Sequence, residues 1–512
     1  MRQKKLLSVF FVFLALILTS CGGGRNSSTG PALLPTQTPG PFSKINSVSL
    51  DFVNGISINS ISNFSPKTRV YLVMYAKDST LPRPSFSYSA SLSSQLTTFA
   101  AKASVKNVPL HSGQGRSFIC GTHLASGILP VQGMGVSSYK MMQRKDAEGE
   151  IHNFYVSYYG GDQLIAATCR KIGAYCYVYV QDSEWGKGTM TPNFVEEFQR
   201  WFDEIYPKMH AAFGEEQPVG VNGDTKVTVL FNSYVSQAVY DMFPRNEQNP
   251  YSNERKMFYV KSSFTDTYSL KMVSVHEFCH LIEAYRKYLS SGRHGDETWL
   301  SEGLATAASE LMGFPQDIVL WFCEKPYDSL TRWTNSEYSS DYYDYAVAGM
   351  FARYLIRHYT GNLCFNLVNS DKVGIEAVNA ALSASGYSDR FPDVFQKWSV
   401  ANCLYKCNTE GTPYNYPAAA YTWTGGGNCN LPAIDLQHFE PPTGSTDELL
   451  VKKIASYPVA ETYDDYPAAG FFGPWAAEYF EFLEGDGSSL NLTVRRRPED
   501  NSVEGMYIVV SP

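Results

Sequence analysis

The sequence predicts an α+β multidomain protein, with a mixed, helix-rich central domain flanked by β-rich N- and C-terminal domains. Three observations lead there. The chain has 512 residues, 44% of them hydrophobic and 14% aromatic, enough for two or three cores rather than one. Short alternating runs bounded by Gly, Asn, Asp and Pro fill the front and the tail, as in Thr68 to Met74 and Leu490 to Arg495. Between them, apolar residues recur at helical spacing. The expected boundaries are 1–20 (signal), 21–44 (tether), 45–175 (β-rich), 176–415 (central) and 416–512 (β-rich).

In chain order, Arg2, Lys4 and Lys5 precede an apolar stretch from Leu6 to Leu18 broken only by Ser8, followed by small residues and Cys21. This is the layout of an export signal and is too short to span a membrane comfortably. The string Leu18-Thr19-Ser20-Cys21 resembles a bacterial lipobox, which implies that Cys21 is lipidated and becomes the first residue after cleavage. An ordinary secretory signal with a coincidental cysteine is the alternative. Residues 22–44 are rich in Gly, Ser, Thr and Pro and read as a flexible tether with a reach of roughly 25 Å. The lipobox resemblance implies a lipid-anchored protein of the bacterial cell envelope. Gly22 stands where an Asp would mark inner-membrane retention, which points to the outer membrane or cell surface.

The front contains strands such as Thr68 to Met74 and Cys176 to Val180. From Pro192 to His210, Phe194, Phe198, Trp201, Phe202, Ile205 and Met209 mark one face of a helix. A turn at Asn222-Gly223-Asp224-Thr225 leads to a hairpin strand at 226–231, and Met257 to Val260 is another strand. That turn offers too few oxygen ligands for calcium. Helices follow at roughly 268–290, 298–312 and 341–359, and late strands at Leu490 to Arg495 and Met506 to Val510.

Charge and composition exclude two classes. With 42 basic against 50 acidic residues the net charge is −8, so no phosphate-neutralising face is implied and nucleic acid is not a partner. The only long apolar run is at the N-terminus, which excludes a multi-span membrane protein. Nine cysteines follow Cys21, and export to an oxidising compartment predicts that some pair while at least one stays single.

Metal chemistry is concentrated in His276-Glu277-Phe278-Cys279-His280. Helix positions four apart differ by about 40° around the axis, so His276 and His280 project from one face toward one ion. Neutral imidazoles suit Zn²⁺, and a catalytic site needs three protein ligands with a fourth position for water. Glu277, about 100° away around the helix, is placed to act as general base. Apolar or small flanks at Met272 to Val275 and at Leu281-Ile282 mark a helix buried on one side. Glu302 lies 22 positions beyond His280, past a turn-rich loop, where a second helix folding back would bring it to the same ion. Small residues at 303 and 305–308 would let those helices approach closely.

HEFCH followed by WLSEGLA resembles the gluzincin class of zinc metallopeptidases. More closely, FDEIYPKMHAAFGEE (202–216), the strand at 226–231, SNERKMFYV (252–260), HEFCHLIEAY (276–285), WLSEGLA (299–305) and YAVAGMFARYL (345–355) resemble the hyicolysin family of secreted bacterial zinc metallopeptidases, over roughly 176–415. The resemblance implies a zincin-type metalloprotease catalytic domain, with a mixed sheet, an active-site helix and a helical subdomain. It implies one Zn²⁺ per chain held by His276, His280 and Glu302, with Glu277 as base and protein or peptide substrates. The chain lacks the GxMEN string of related aminopeptidases, which favours endopeptidase action. For the oxyanion donor that gluzincins use, Tyr345 heads the family-like segment, with Tyr342 and Tyr343 as rivals. The strand at 226–231 would accept an extended substrate by edge addition.

Other residues have plainer readings. Cys279, at a wildcard position of the motif, reads as a small buried hydrophobe, His294 as a solvated loop residue, and Thr306 as an ordinary helix residue. The competing reading of the whole chain is an inactive binding or adhesion lipoprotein that keeps the zincin frame while its β-rich flanks carry the function. An intact His276, Glu277, His280 and Glu302 set argues for the enzyme.

Overall fold

Period-two alternation builds the first layers. Strand β3 (Arg69–Ala76) turns Val70, Leu72 and Met74 to one side and Tyr71, Val73 and Tyr75 to the other, and both sets are buried. The computed structural model describes residues 44–77, 86–94, 120, 145–158, 161–238, 240–246, 249–292, 295–333, 341–407, 409–423, 425, 427–436, 450–463, 474–498 and 501–511. Among them it is an α+β protein of several sheets with eight α-helices. Cys21, the predicted signal and residues 22–43 of the predicted tether lie outside the described residues, as does His294, while Lys44 already belongs to a strand.

The front strands are β1 (Lys44–Ser49), β2 (Ile56–Ile61), β3 and β4 (Phe86–Leu92). The central strands are β5 (Ile151–Tyr158), β6 (Gly161–Ile172), β7 (Cys176–Gln181), β8 (Val227–Asn232), β9 (Gln237–Ala238) and β10 (Met257–Lys261). Toward the C-terminus come β11 (Ala419–Thr422), β12 (Asn428–Leu431), β13 (Lys452–Ile454), β14 (Val459–Tyr463), β15 (Ala476–Phe482), β16 (Leu490–Arg496) and β17 (Val503–Ser511).

The β-rich front and tail, predicted as two flanking domains, share two sheets of orders β1-β17-β3-β15-β13 and β14-β4-β16-β2. Phe86, Tyr88, Phe480, Phe482 and Leu492 fill the space between them. Neither end has a closed core of its own, because β17 supplies the strand between β1 and β3. The outer face of β3 is not solvent. Its Tyr75 packs on Phe395, and Trp475 stands against Phe391 and Phe395 of the helical body.

The six-stranded sheet runs β5-β6-β7-β8-β10-β9 and recruits β5 and β6 from the segment predicted to belong to the front. Helix α1 (Pro192–Phe213) connects β7 to β8, which are parallel neighbours. Thr191 caps it, its hydroxyl accepting from the Phe194 amide, and Pro192 opens the first turn, where no amide donor is needed. Its buried stripe of Phe194, Phe198, Phe202, Ile205 and Met209 follows the predicted helical face.

The strand predicted at 226–231 as a hairpin strand and substrate edge is β8, and it sits inside the sheet. It pairs in parallel with β7 on one side and β10 on the other, so both of its edges are filled. A fully buried run of Val, Thr, Leu and Phe is the composition a two-sided parallel strand requires. The ends of this sheet are β5 and β9.

Helix α2 (Thr267–Ser291) carries the motif. The Asp266 carboxylate caps it by accepting from the Ser269 amide at 2.7 Å, and Gly292 ends it at φ +69°, a left-handed geometry glycine adopts without strain. Every residue from Met272 to Ala284 is buried, so the helix is enclosed all round rather than on one side as predicted. On the sheet side Phe278 meets Phe202, Tyr206 and Phe258 at centroid distances of 5.3, 5.5 and 6.1 Å. Full burial of such a ring stabilises the fold by about 2 kcal/mol.

On the other side lie α3 (Thr298–Leu311), α4 (Val319–Glu324), α5 (Asp341–His358), α6 (Leu363–Val368), α7 (Gly374–Ala384) and α8 (Phe391–Cys403). The small residues expected to allow close packing do so. A Cβ on Gly303 would stand 3.0 Å from the Ala348 carbonyl oxygen, so α3 and α5 touch backbone to backbone there.

Among the described residues no disulfide is present, so the expected pairing of cysteines is not seen. All nine cysteines after Cys21 are free thiols, and eight of them are buried.

Candidate metal centre

Four turns of buried helix fix the centre. His276 and His280 face the same way from α2, with ring centroids 4.8 Å apart and their Nε2 atoms 3.1 Å apart. Glu302, one turn into α3, brings its Oε2 to 2.9 Å from His276 Nε2 and 3.5 Å from His280 Nε2. Metal–ligand bonds of about 2.0–2.1 Å at tetrahedral angles separate neighbouring donor atoms by about 3.3 Å. The three measured separations straddle that value, so the donor atoms already lie on a sphere of the right size.

A fourth donor is present that the sequence did not suggest. Cys120 lies 157 residues before Glu277, between β4 and β5 in the chain and far from the His276–His280 motif. Its sulfur joins His276, His280 and Glu302 in a buried group whose ligand atoms all fall within 4.8 Å of one another. These four residues could hold a metal ion. The sulfur is also 3.5 Å from Glu277 Oε2.

Second contacts aim the imidazoles. His280 Nδ1 is 3.1 Å from Ser301 Oγ, which in turn donates to Glu283 Oε2 at 2.5 Å. That relay places a proton on Nδ1 and leaves the Nε2 lone pair for a metal. Glu283 is itself held, accepting from the Asp296 amide at 2.9 Å. His276 Nδ1 is 3.1 Å from the Gln316 amide nitrogen, and an amide flip would bring the oxygen there instead. With the oxygen inward it accepts the Nδ1 proton and frees Nε2 in the same way. Arg353 fixes the Gln316 backbone by donating to its carbonyl at 2.5 Å.

The electrostatics call for positive charge. Burial pushes the His280 imidazole toward its neutral form, but Glu302 and Cys120 push harder, and its pKa lies well above the ordinary value. Burial raises the Cys120 thiol, and the Glu277 and Glu302 carboxylates raise it further. Two acids and a sulfur crowded around two imidazoles form a set that a divalent cation neutralises.

Of the three candidate tyrosines, only Tyr345 reaches this group. Its hydroxyl accepts from the Cys120 amide at 2.9 Å and faces the Cys120 carbonyl oxygen at 3.4 Å, and its ring stands edge-on to Trp333. Burial, together with Glu302 and Cys120, holds that hydroxyl protonated. Tyr342 packs on Trp321, and Tyr343 donates to Glu324 at 3.3 Å. Cys279 is buried among apolar side chains and is not one of the four donors. Thr306 Oγ1 makes no hydrogen bond, so it braces no ligand.

A second group, Asp146, Glu150 and His152, also has metal-ligand chemistry. Its buried carboxylate already pairs with Arg255 and accepts from Tyr179, so its charge is met without an ion. A cavity of about 550 Å³ lined by Ile205, Lys208, Met312 and Trp423 shares no residue with the metal centre.

Compared with protein families and with curated proteins, the chain matches none.

Proposed function

We propose that the protein is a zinc-dependent metalloendopeptidase of zincin type, similar to the hyicolysin family and displayed on the bacterial envelope by lipid on Cys21. The observation that carries this reading is the convergence of His276, His280 and Glu302 donor atoms at 2.9–3.5 Å beside the Glu277 carboxylate. Zinc suits two imidazoles and a carboxylate at this spacing, and would polarise a peptide carbonyl and acidify a water.

The chain's own groups do the rest. Glu277, one residue from His276 and buried, takes the proton of the attacking water and passes it to the leaving amine. The Tyr345 hydroxyl donates to the carbonyl oxygen as negative charge develops there, a contribution of about 3 kcal/mol for a well-placed donor. Ser301 and Glu283 hold the His280 imidazole in the required tautomer.

One observation favours a second reading. With Cys120 as a permanent fourth ligand the centre is a closed structural site, and the protein is a binding lipoprotein. The test uses the purified full chain, measuring bound zinc and the cleavage of casein. One zinc per chain, lost in His276→Ala, is expected. Cleavage should fall at least about a hundredfold in Glu277→Gln. Absence of zinc overturns the ligand assignment. Zinc with no cleavage, whether Cys120 is present or replaced, overturns the peptidase reading in favour of the structural one.

A further inference from the structure

We propose that Cys120 is a displaceable latch, a thiolate that fills the last coordination position of the metal and keeps the enzyme latent until the sulfur is withdrawn or capped. The inference rests on the zinc peptidase reading and names how that site is regulated.

Three features of catalysis are blocked by this one residue. Its sulfur belongs to the same buried donor group as His276, His280 and Glu302, and four donors complete a tetrahedral shell. It lies 3.5 Å from Glu277 Oε2, in the position the base needs for the attacking water. Its backbone amide and carbonyl also engage the Tyr345 hydroxyl, at 2.9 and 3.4 Å, which would otherwise be turned to the substrate. A cysteine serving only as packing has no reason to meet the metal ligands, the base and the oxyanion donor together.

The origin of the residue fits a latch. The other three donors come from α2 and α3, which are packed against each other, with α2 also against β10 of the sheet. Cys120 comes from the segment between β4 of the sandwich and β5 of the six-stranded sheet. Cys120 belongs to neither helix, so its sulfur can part from the donor group while His276, His280 and Glu302 stay on theirs. Were a metal held by His276, His280 and Glu302, release would leave the Cys120 sulfur protonated by solvent and its place among the donors open to water. With iodoacetamide the sulfur–carbon bond forms as the carbon–iodine bond breaks, iodide departs, and the capped sulfur no longer binds.

The test loads the purified full chain with Co²⁺ and compares native, Cys120→Ser, Cys120→Ala and Cys279→Ser chains. The native and Cys279→Ser chains should show a sulfur-to-cobalt charge-transfer band in the near ultraviolet, and both Cys120 variants should lack it. Mass spectrometry should find Cys120 protected from iodoacetamide in the metal-loaded native chain and labelled once a chelator removes the metal. With zinc restored, both Cys120 variants should cleave casein at least tenfold faster than the native chain.

A bound metal without the band, and with Cys120 labelled at once, shows that the sulfur is not a ligand. That overturns the latch but leaves the peptidase reading standing wherever the native chain cleaves casein. A band that disappears in the variants with no cleavage by any chain overturns the latch and the peptidase reading together. Circular dichroism of the variants and labelling of the unmutated chain keep the result independent of any folding defect.

Discussion

Glu216→Gln tests what holds the shelf behind the metal-bearing helix. Glu216 is 1% exposed, and its Oε1 accepts from the Tyr206 hydroxyl at 2.6 Å and from Lys256 Nζ at 2.8 Å. Its Oε2 meets the His210 ring. Tyr206 and His210 lie on α1, the first stacked on Phe278 of α2 and the second tilted against it, so the carboxylate braces the contact between α1 and the helix that bears the centre. Burial by itself raises this carboxyl, but His210 and Lys256 outweigh burial and bring it from 4.5 to about 2.

A carboxyl depressed in the fold stabilises it above the unfolded value, and the contribution fades as pH falls through the folded value. The difference corresponds to about 3 kcal/mol at pH 5 and above, of which about 2 kcal/mol is gone by about pH 3. Working at about pH 5 and below keeps ordinary histidine titration out of the window. Urea unfolding followed by tryptophan fluorescence should show the native chain more stable than the variant at the upper pH, with the gap narrowing by about 2 kcal/mol at the lower. A gap that stays constant between the two pH values refutes the charged-network account.

Two further outcomes follow from the geometry. Ser301→Ala removes the relay between His280 and Glu283 and should weaken zinc about 10- to 100-fold in chelator competition while leaving secondary structure intact. In denaturant without reductant, a thiol reagent should count nine cysteines if Cys21 carries lipid and ten if it does not, since none of the other nine is in a disulfide. A smaller count contradicts the all-thiol interior.

The helices and the core of the site were legible because their signals are local. His276 and His280 are one helical turn apart, and Glu302 sits on the next helix, so spacing alone brought three donors to one place. The stripe from Phe194 to Met209 likewise announced α1 through its period. Cys120 had no such signal, because a ligand 157 residues from its neighbours in space depends on tertiary structure, and a lone cysteine reads as a small apolar group. The position of β8 was misread for a different reason. Its unbroken apolar run fits a strand enclosed on both sides, whereas the turn at 222–225 suggested a hairpin. Shared sheets between front and tail escaped notice because alternation shows that a strand exists without showing its partner.

The seat of β17 between β1 and β3 has a kinetic consequence. Lys44 pairs with Ser511 and Ser49 with Met506, so the first described strand is joined to the rest of its sheet only through the last. Closing a loop of that length adds little entropy per extra residue, yet it makes these contacts among the most non-local in the fold. A growing chain thus reaches its helical body long before it can finish the sheet on which Tyr75 and Trp475 support α8. Loss of β17 would open that sheet between β1 and β3, so this strand acts as its keystone.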